Sequence, residues 1–121
     1  MALRRINTSG DSMCPTLRSG DLVLCHTNLN GLRPGMIVVS SIVVHRLVWI
    51  DPFGGFWECG DAPMCLPVRR RLSEIEGRVV AAIRDGQWLD ISEKVPWRSR
   101  RKVMWTIARK VVGRVWNHRS L

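Results

Sequence analysis

Apolar residues in the first three quarters of the chain come in short bursts separated by turn-forming residues. Asp21 to Thr27 (Asp-Leu-Val-Leu-Cys-His-Thr) reads as a buried strand. Asn28 to Gly35 carries Asn30-Gly31 and Pro34-Gly35, two turn signals, and reads as a loop. Met36 to Val39 is a β-branched strand, Ser40-Ser41 a tight turn, and Ile42 to Ile50 the returning strand. A period of two along that last strand puts His45 on one face with Val43 and Leu47. Arg46 then falls on the other face with Val44 and Val48. Asp51 to Gly55 is a turn, Phe56 to Cys59 a strand, and Gly60 to Arg71 a loop rich in Pro and Arg. Ile75 to Ile83 is a strand in which Gly77 marks a bulge or a kink. Asp85-Gly86 predicts a hairpin into Gln87 to Ile91. Residues 1–9, short and polar, form at most an arm. Many short strands joined by turns predict a mainly β, compact domain over residues 1–93.

The period changes after Pro96. Met104, Ala108, Val111, Val112 and Val115 recur at helical spacing, with Trp105 and Trp116 flanking them. Arg101, Lys102, Arg109, Lys110 and Arg114 fill the remaining positions. Residues 94–121 are therefore expected to form a basic amphipathic C-terminal helix. Its apolar stripe either packs on the β body or lies on an anionic membrane surface, where Trp and Arg suit the interface. Nucleic-acid binding by the tail ranks behind both.

Composition sharpens this division. A chain of 121 residues allows one core, and 45% hydrophobic with 24% charged residues excludes disorder throughout. The net charge of +9 is not spread evenly. Residues 1–93 hold ten Lys/Arg and ten Asp/Glu, whereas residues 94–121 hold nine Lys/Arg and no acid. The body is not a basic module; the tail is. The spacings of Cys14, Cys25, Cys59 and Cys65 match no zinc or Cys-x-x-Cys motif. Met1 to Ser12 lacks the apolar core of a secretory signal, and no run of about 18 apolar residues occurs. A reducing, cytoplasmic setting with free thiols is expected, peripheral to a membrane if the tail binds one. Cys14 reads as a small buried hydrophobe rather than a reactive thiol.

The chemistry-bearing stretch is Gly10-Asp11-Ser12-Met13-Cys14-Pro15-Thr16-Leu17. It presents Ser12 in a glycine-led turn ahead of a strand. A serine needs a base to become a nucleophile. His45 is the best-placed base in the sequence, since a histidine with a reference pKa of about 6.5 accepts a proton near neutrality. His26 reads as structural, and Arg46 as a partner in a structural salt bridge.

Several segments, taken in order, resemble the serine peptidases that include signal peptidases and the LexA-type self-cleaving repressors. Gly10-Asp11-Ser12-Met13 with Pro15-Thr16-Leu17 resembles the nucleophile box, and Gly20-Asp21-Leu22-Val23 the strand after it. Pro34-Gly35-Met36-Ile37-Val38-Val39 resembles the Gly-Asp-Ile-Val-Val segment. Val44-His45-Arg46-Leu47 falls where the family places its general base, and Cys59-Gly60-Asp61 resembles the Lys-Gly-Asp turn of the microsomal and archaeal-like branch. Ile75-Glu76-Gly77-Arg78-Val79-Val80, with Ile83 to Gly86 and Trp88, resembles the closing strands of LexA-type domains. The three lysines, Lys94, Lys102 and Lys110, all lie in the tail, so the Ser-His variant fits better than a Ser-Lys dyad.

The resemblance implies a serine endopeptidase that cleaves a leader or precursor segment of a protein or peptide. Ser12 attacks, His45 accepts its proton, and Asp61 orients His45. Met13, Leu17 and Val43 line the substrate pocket or, equally, pack in the core. Neither a metal nor a cofactor is implied. Two features depart from the family pattern. Ala62-Pro63-Met64-Cys65-Leu66-Pro67 replaces a stretch that carries further aspartates in the microsomal branch, and Gly10 stands where membrane signal peptidases often have a serine. The alternative, on the same fold, is a non-catalytic peptide-binding or membrane-surface adaptor.

Overall fold

The computed structural model describes residues 3–7, 10–41 and 43–119, with side chains over 5–6, 10–41 and 43–116. The strands are β1 (Leu3–Asn7), β2 (Leu22–His26), β3 (Ile37–Ser40) and β4 (Val43–Ile50), followed by β5 (Gly55–Cys59), β6 (Val68–Arg71), β7 (Ile75–Arg84) and β8 (Gln87–Trp88). One helix, α1 (Trp97–Arg119), closes the chain. The strands form one antiparallel sheet in the order β1-β2-β7-β3-β4-β5-β6, with β8 paired to β7. The molecule is mainly β, as the short apolar bursts predict.

The hairpin β3–β4 turns at Ser40-Ser41, where Ser41 adopts φ +48. The expected start of β4 at Ile42 lies outside the described residues. Asp85 and Gly86, with φ +52 and +76, make the β7–β8 hairpin turn that Asp-Gly favours. Gly77 sits at a register shift between β3 and β7, and a side chain there would press on Cys25 and the His26 carbonyl.

Two polar stretches behave differently from expectation. Residues 3–7 are no loose arm: they pair with β2 along its length, Arg5 opposite Leu24 and Ile6 opposite Val23. Within the expected Gly60–Arg71 loop, Val68 to Arg71 form β6 against β5. Arginine hides the strand signal of β6. The two central arginines are ion-paired: Arg69 binds Asp51 at 2.7 Å, and Arg70 binds Glu58.

The sheet buries apolar residues on both faces. Met13, Leu17, Val23, Ile37 and Ala82 pack together on one side. Val38, Leu47, Phe56 and Ile75 form a second cluster, as the alternation along β3 and β4 requires. A third cluster joins Val48, Trp57 and Cys59 to Val103 of α1.

The helix docks by a narrower face than the sequence predicts. Ser99, Val103 and Ile107, spaced four apart, turn toward the body, and Val103 is 2% exposed. Burying such a valine contributes about 1.5–3 kcal/mol. Lys102 Nζ donates to the Pro63 and Cys65 carbonyls, both at 2.7 Å, and Lys110 lies over the Trp57 ring. The expected apolar stripe through Met104, Ala108, Val111, Val112 and Val115 faces solvent instead. Among the described residues, no helix is long and apolar enough to cross a membrane.

Candidate active site

Ser12 sits in a tight turn entered through Gly10 (φ +83) and held by two backbone bonds, Cys14 N–H to Asp11 O and Leu17 N–H to Met13 O. Met13 and Leu17, 4% and 1% exposed, anchor the turn in the core beside Val23, Ile37 and Ala82. Of the two expected roles for Met13 and Leu17, pocket lining or core packing, this is core packing, because a side chain covered on all sides has no surface left for a substrate. Val43 remains half-buried at the start of β4, opposite Ser40.

The half-buried Ser12 is held by its carbonyl, which accepts from the Ala62 N–H at 2.9 Å and the Cys65 thiol at 3.3 Å. Gly60 makes this approach possible: a Cβ there would collide with the Ser12 carbonyl and the Cys65 sulfur. Gly60 follows Cys59, the register partner of Arg46, so it stands level with His45 of β4. The serine turn thus crosses the end of β5 at the height of the histidine. No side-chain hydrogen bond joins Ser12 to His45 among the described residues.

His45 and Arg46 are neighbours on β4 and point to opposite faces. Each meets its own carboxylate. The His45 side chain is 14% exposed, and its buried Nδ1 lies 3.5 Å from Glu58 Oε1, an ion-pair contact longer than a good hydrogen bond. Nε2 is the ring nitrogen left for a reaction. Glu58 is fully buried. Ser40 Oγ donates to its Oε2 at 2.8 Å, and Arg70 Nε donates to its Oε1. Burial pushes the Glu58 carboxyl up, but His45, Arg70 and Ser40 together outweigh it and hold the group below its ordinary value. Glu58 is therefore a carboxylate, with its negative charge against the imidazole.

Asp61, expected to orient the histidine, is engaged elsewhere. Arg46 grips it in bidentate fashion, Nε to Oδ1 at 2.9 Å and Nη2 to Oδ2 at 2.6 Å, and Thr16 Oγ1 donates to Oδ2. Arg46 Nη1 also reaches the Gly35 and Ser92 carbonyls at 2.8 and 2.6 Å. Both partners of the pair are buried, at 2% and 3% exposure. Asp61 thus ties the serine turn, through Thr16, to β4, through Arg46. The acid at His45 is Glu58, and the expected salt bridge of Arg46 is this one.

The sequence reading passed over Glu58, although a signal for it exists. It is the one charge in the apolar run Phe56-Trp57-Glu58-Cys59, and a strand residue cannot bury a charge without partners. His26 is structural: its Nδ1 accepts the Asn28 N–H at 2.9 Å. All four cysteines are free thiols, and burial pushes the Cys59 thiol up. Among the described residues, no group of three or more His, Cys, Asp or Glu side chains could hold a metal ion. No protein-family model matches the chain, and no curated protein matches it.

Proposed function

We propose that the chain is a serine endopeptidase that processes a leader or precursor segment, with Ser12 as nucleophile, His45 as base and Glu58 as the acid that orients the base. The observation that carries this reading is the buried Glu58 carboxylate facing His45 Nδ1, level with the turn that holds Ser12. A carboxylate at Nδ1 fixes the proton there and leaves Nε2 basic, which is the role of the acid in a Ser-His-acid triad. Catalytic hydrogen bonds are often unformed before substrate binds, so the open Ser12–His45 gap is compatible with that role.

In the forward reaction Ser12 Oγ adds to the peptide carbonyl carbon while its proton passes to His45 Nε2. The Ser12 backbone N–H donates to the oxyanion, a contact worth about 3–4 kcal/mol when preorganised. His45 returns the proton to the leaving amine as the C–N bond breaks. Water then attacks the acyl ester, giving its proton to His45, and the product acid leaves as Ser12 is reprotonated. Glu58 stays ionised throughout. The substrate strand adds to an open sheet edge. β6 is such an edge, and Val68 at its start pairs with Glu58 itself. The free thiols support action in a reducing compartment such as the cytoplasm.

The test is labelling with an acylating serine-peptidase inhibitor, read by intact mass and peptide mapping. Label on Ser12 that disappears in Ser12→Ala and in His45→Ala supports the peptidase. A folded protein that takes no label at any pH from about 5 to 9, the range around a histidine's reference pKa, supports the non-catalytic adaptor, which the missing Ser12–His45 hydrogen bond favours.

A further inference from the structure

Helix α1 has two apolar faces, and the body uses only one. Val103 and Ile107 face the sheet. Turning about a quarter to a half of a revolution around the helix brings Trp97, Met104, Trp105 and Val112 to the surface, each 64–70% exposed, and Trp116 follows at 69%. Among the described residues, nothing covers this face. Single exposed apolar residues are ordinary, but a contiguous stripe with three tryptophans is not.

Charge identifies the occupant. The segment from residue 94 to the end carries nine Lys/Arg and no acid, while the rest of the chain is neutral. Arg98, Arg101 and Arg109 are exposed along the same side of α1, and the Arg109 guanidinium lies 5.7 Å from the Trp105 ring centre. A second copy of the chain would bring two equally basic helices together, which like-charge repulsion opposes. Nucleic acid would use the arginines but leave the exposed Met104, Ala108 and Val112 surface between them in water. An anionic bilayer fits both parts: acyl chains for the stripe, headgroup phosphates for the arginines, and the boundary between them for tryptophan.

We propose that α1 lies flat on an anionic lipid surface, with Trp97, Met104, Trp105, Val112 and Trp116 at the headgroup–acyl boundary and Arg98, Arg101 and Arg109 on the phosphates. The docked Val103 face then holds the β body against the membrane while α1 remains in its place on the sheet.

The test uses the full chain with vesicles of phosphatidylcholine alone or mixed with phosphatidylglycerol. Co-sedimentation and tryptophan emission are measured at low and high salt. Binding and a blue shift with the anionic vesicles only, both weakened by salt, are expected. Arg98→Gln/Arg101→Gln/Arg109→Gln is expected to bind about 100-fold more weakly, from about a fivefold loss per charge. Met104→Glu/Val112→Glu alters two outward side chains, so the fold is expected to persist, checked by circular dichroism, while the blue shift is lost. The inference is overturned if anionic vesicles are not bound, if neutral vesicles bind equally, or if the double glutamate variant binds as the parent does. It is equally overturned if the free chain self-associates through this face or prefers duplex DNA to vesicles. None of these readouts involves catalysis, so their failure is distinct from a failure of Ser12 to acylate.

Discussion

Glu58 and Asp61 are buried carboxylates only three positions apart, yet their surroundings suit them to different tasks. Both oxygens of Asp61 are occupied, by the Arg46 fork and by Thr16, and the result is a brace between the serine turn and β4. Glu58 is also anchored, by Arg70 and Ser40, but keeps an imidazole at 3.5 Å. The difference follows from the alternation of β4. Arg46 and His45 leave the strand in opposite directions, so each can meet only an acid on its own side. Glu58 pairs in register with Leu47, two residues from His45 on the same face, whereas Asp61 lies beyond the strand end and turns back to Arg46. Strand parity thus decides which of the two acids faces the histidine.

Glu58→Gln is the most severe test of this comparison. The amide oxygen can still accept from Arg70, and the Ser40 hydroxyl can turn to accept from the new NH2 group, but the side chain no longer stabilises the charged imidazole. The rate of Ser12 acylation is expected to fall by up to about 10^4-fold, the scale seen when a triad acid becomes an amide, in a protein that still folds. Asp61→Asn in a folded sample is expected to leave that rate within about tenfold of the parent, a cost near 1.4 kcal/mol. Equal losses for the two variants would show that Asp61 shares the catalytic role, and the comparison would break.

Stability is expected to rank the pair the other way. Asp61→Ala strands the Arg46 guanidinium, which is 2% exposed, and opens the link to Thr16. Removing one partner of a buried pair costs about 3–5 kcal/mol. Urea denaturation of Asp61→Ala reads that loss directly. A loss under about 1 kcal/mol, the scale of an exposed pair, would mean that the brace is not needed.

Much of this molecule is visible in its sequence, and the parts that are not share a cause. Apolar bursts and turn residues locate β2, β3, β4, β5 and β7, because burial of side chains every second residue dictates them. β1 and β6 are missed because Arg5, Arg69 and Arg70 give no apolar alternation. Those strands form through pairing with β2 and β5, and β6 adds ion pairs with Asp51 and Glu58. Ser12 and His45 stand out by residue type and context. The charge of Glu58 in an apolar run marks it as a buried group that needs partners, but its meeting with His45 depends on register across β4 and β5. The helix shows a similar limit. Its period is plain, but Val103 and Ile107 dock while the longer stripe stays outside, a choice set by the shape of the surface at Val48 and Trp57.

Gly60 sharpens the comparison because it lies between the two acids. Gly60→Ala places a methyl group against the Ser12 carbonyl and the Cys65 sulfur, and the carbonyl belongs to backbone that cannot rotate aside. Overpacking of this kind costs about 1–3 kcal/mol. The serine turn has to move to relieve it. A lower urea midpoint together with slower acylation is therefore expected. Unchanged acylation in the folded variant would show that the position of Ser12 does not depend on this contact.

The smallest effect is expected at Asp51, a third acid with an arginine partner. Arg69 holds its carboxyl down at about 2, with the Phe53 and Gly55 N–H groups adding to the effect against burial. The folded value lies below the ordinary 3.8, so the carboxylate stabilises the fold fully above pH 3.8. That contribution fades as the pH falls toward 2. Asn at this position keeps an acceptor for the two N–H groups but has no charge to titrate. Asp51→Asn is therefore expected to lose stability less steeply than the parent between those two pH values, in urea titrations at stepped pH. Its acylation rate at neutral pH is expected to match the parent's, because Asp51, like Asp61, holds structure together. A slowed rate in the folded Asp51→Asn protein would tie an acid that makes no ion pair with His45 to the chemistry and leave Glu58 without a special place.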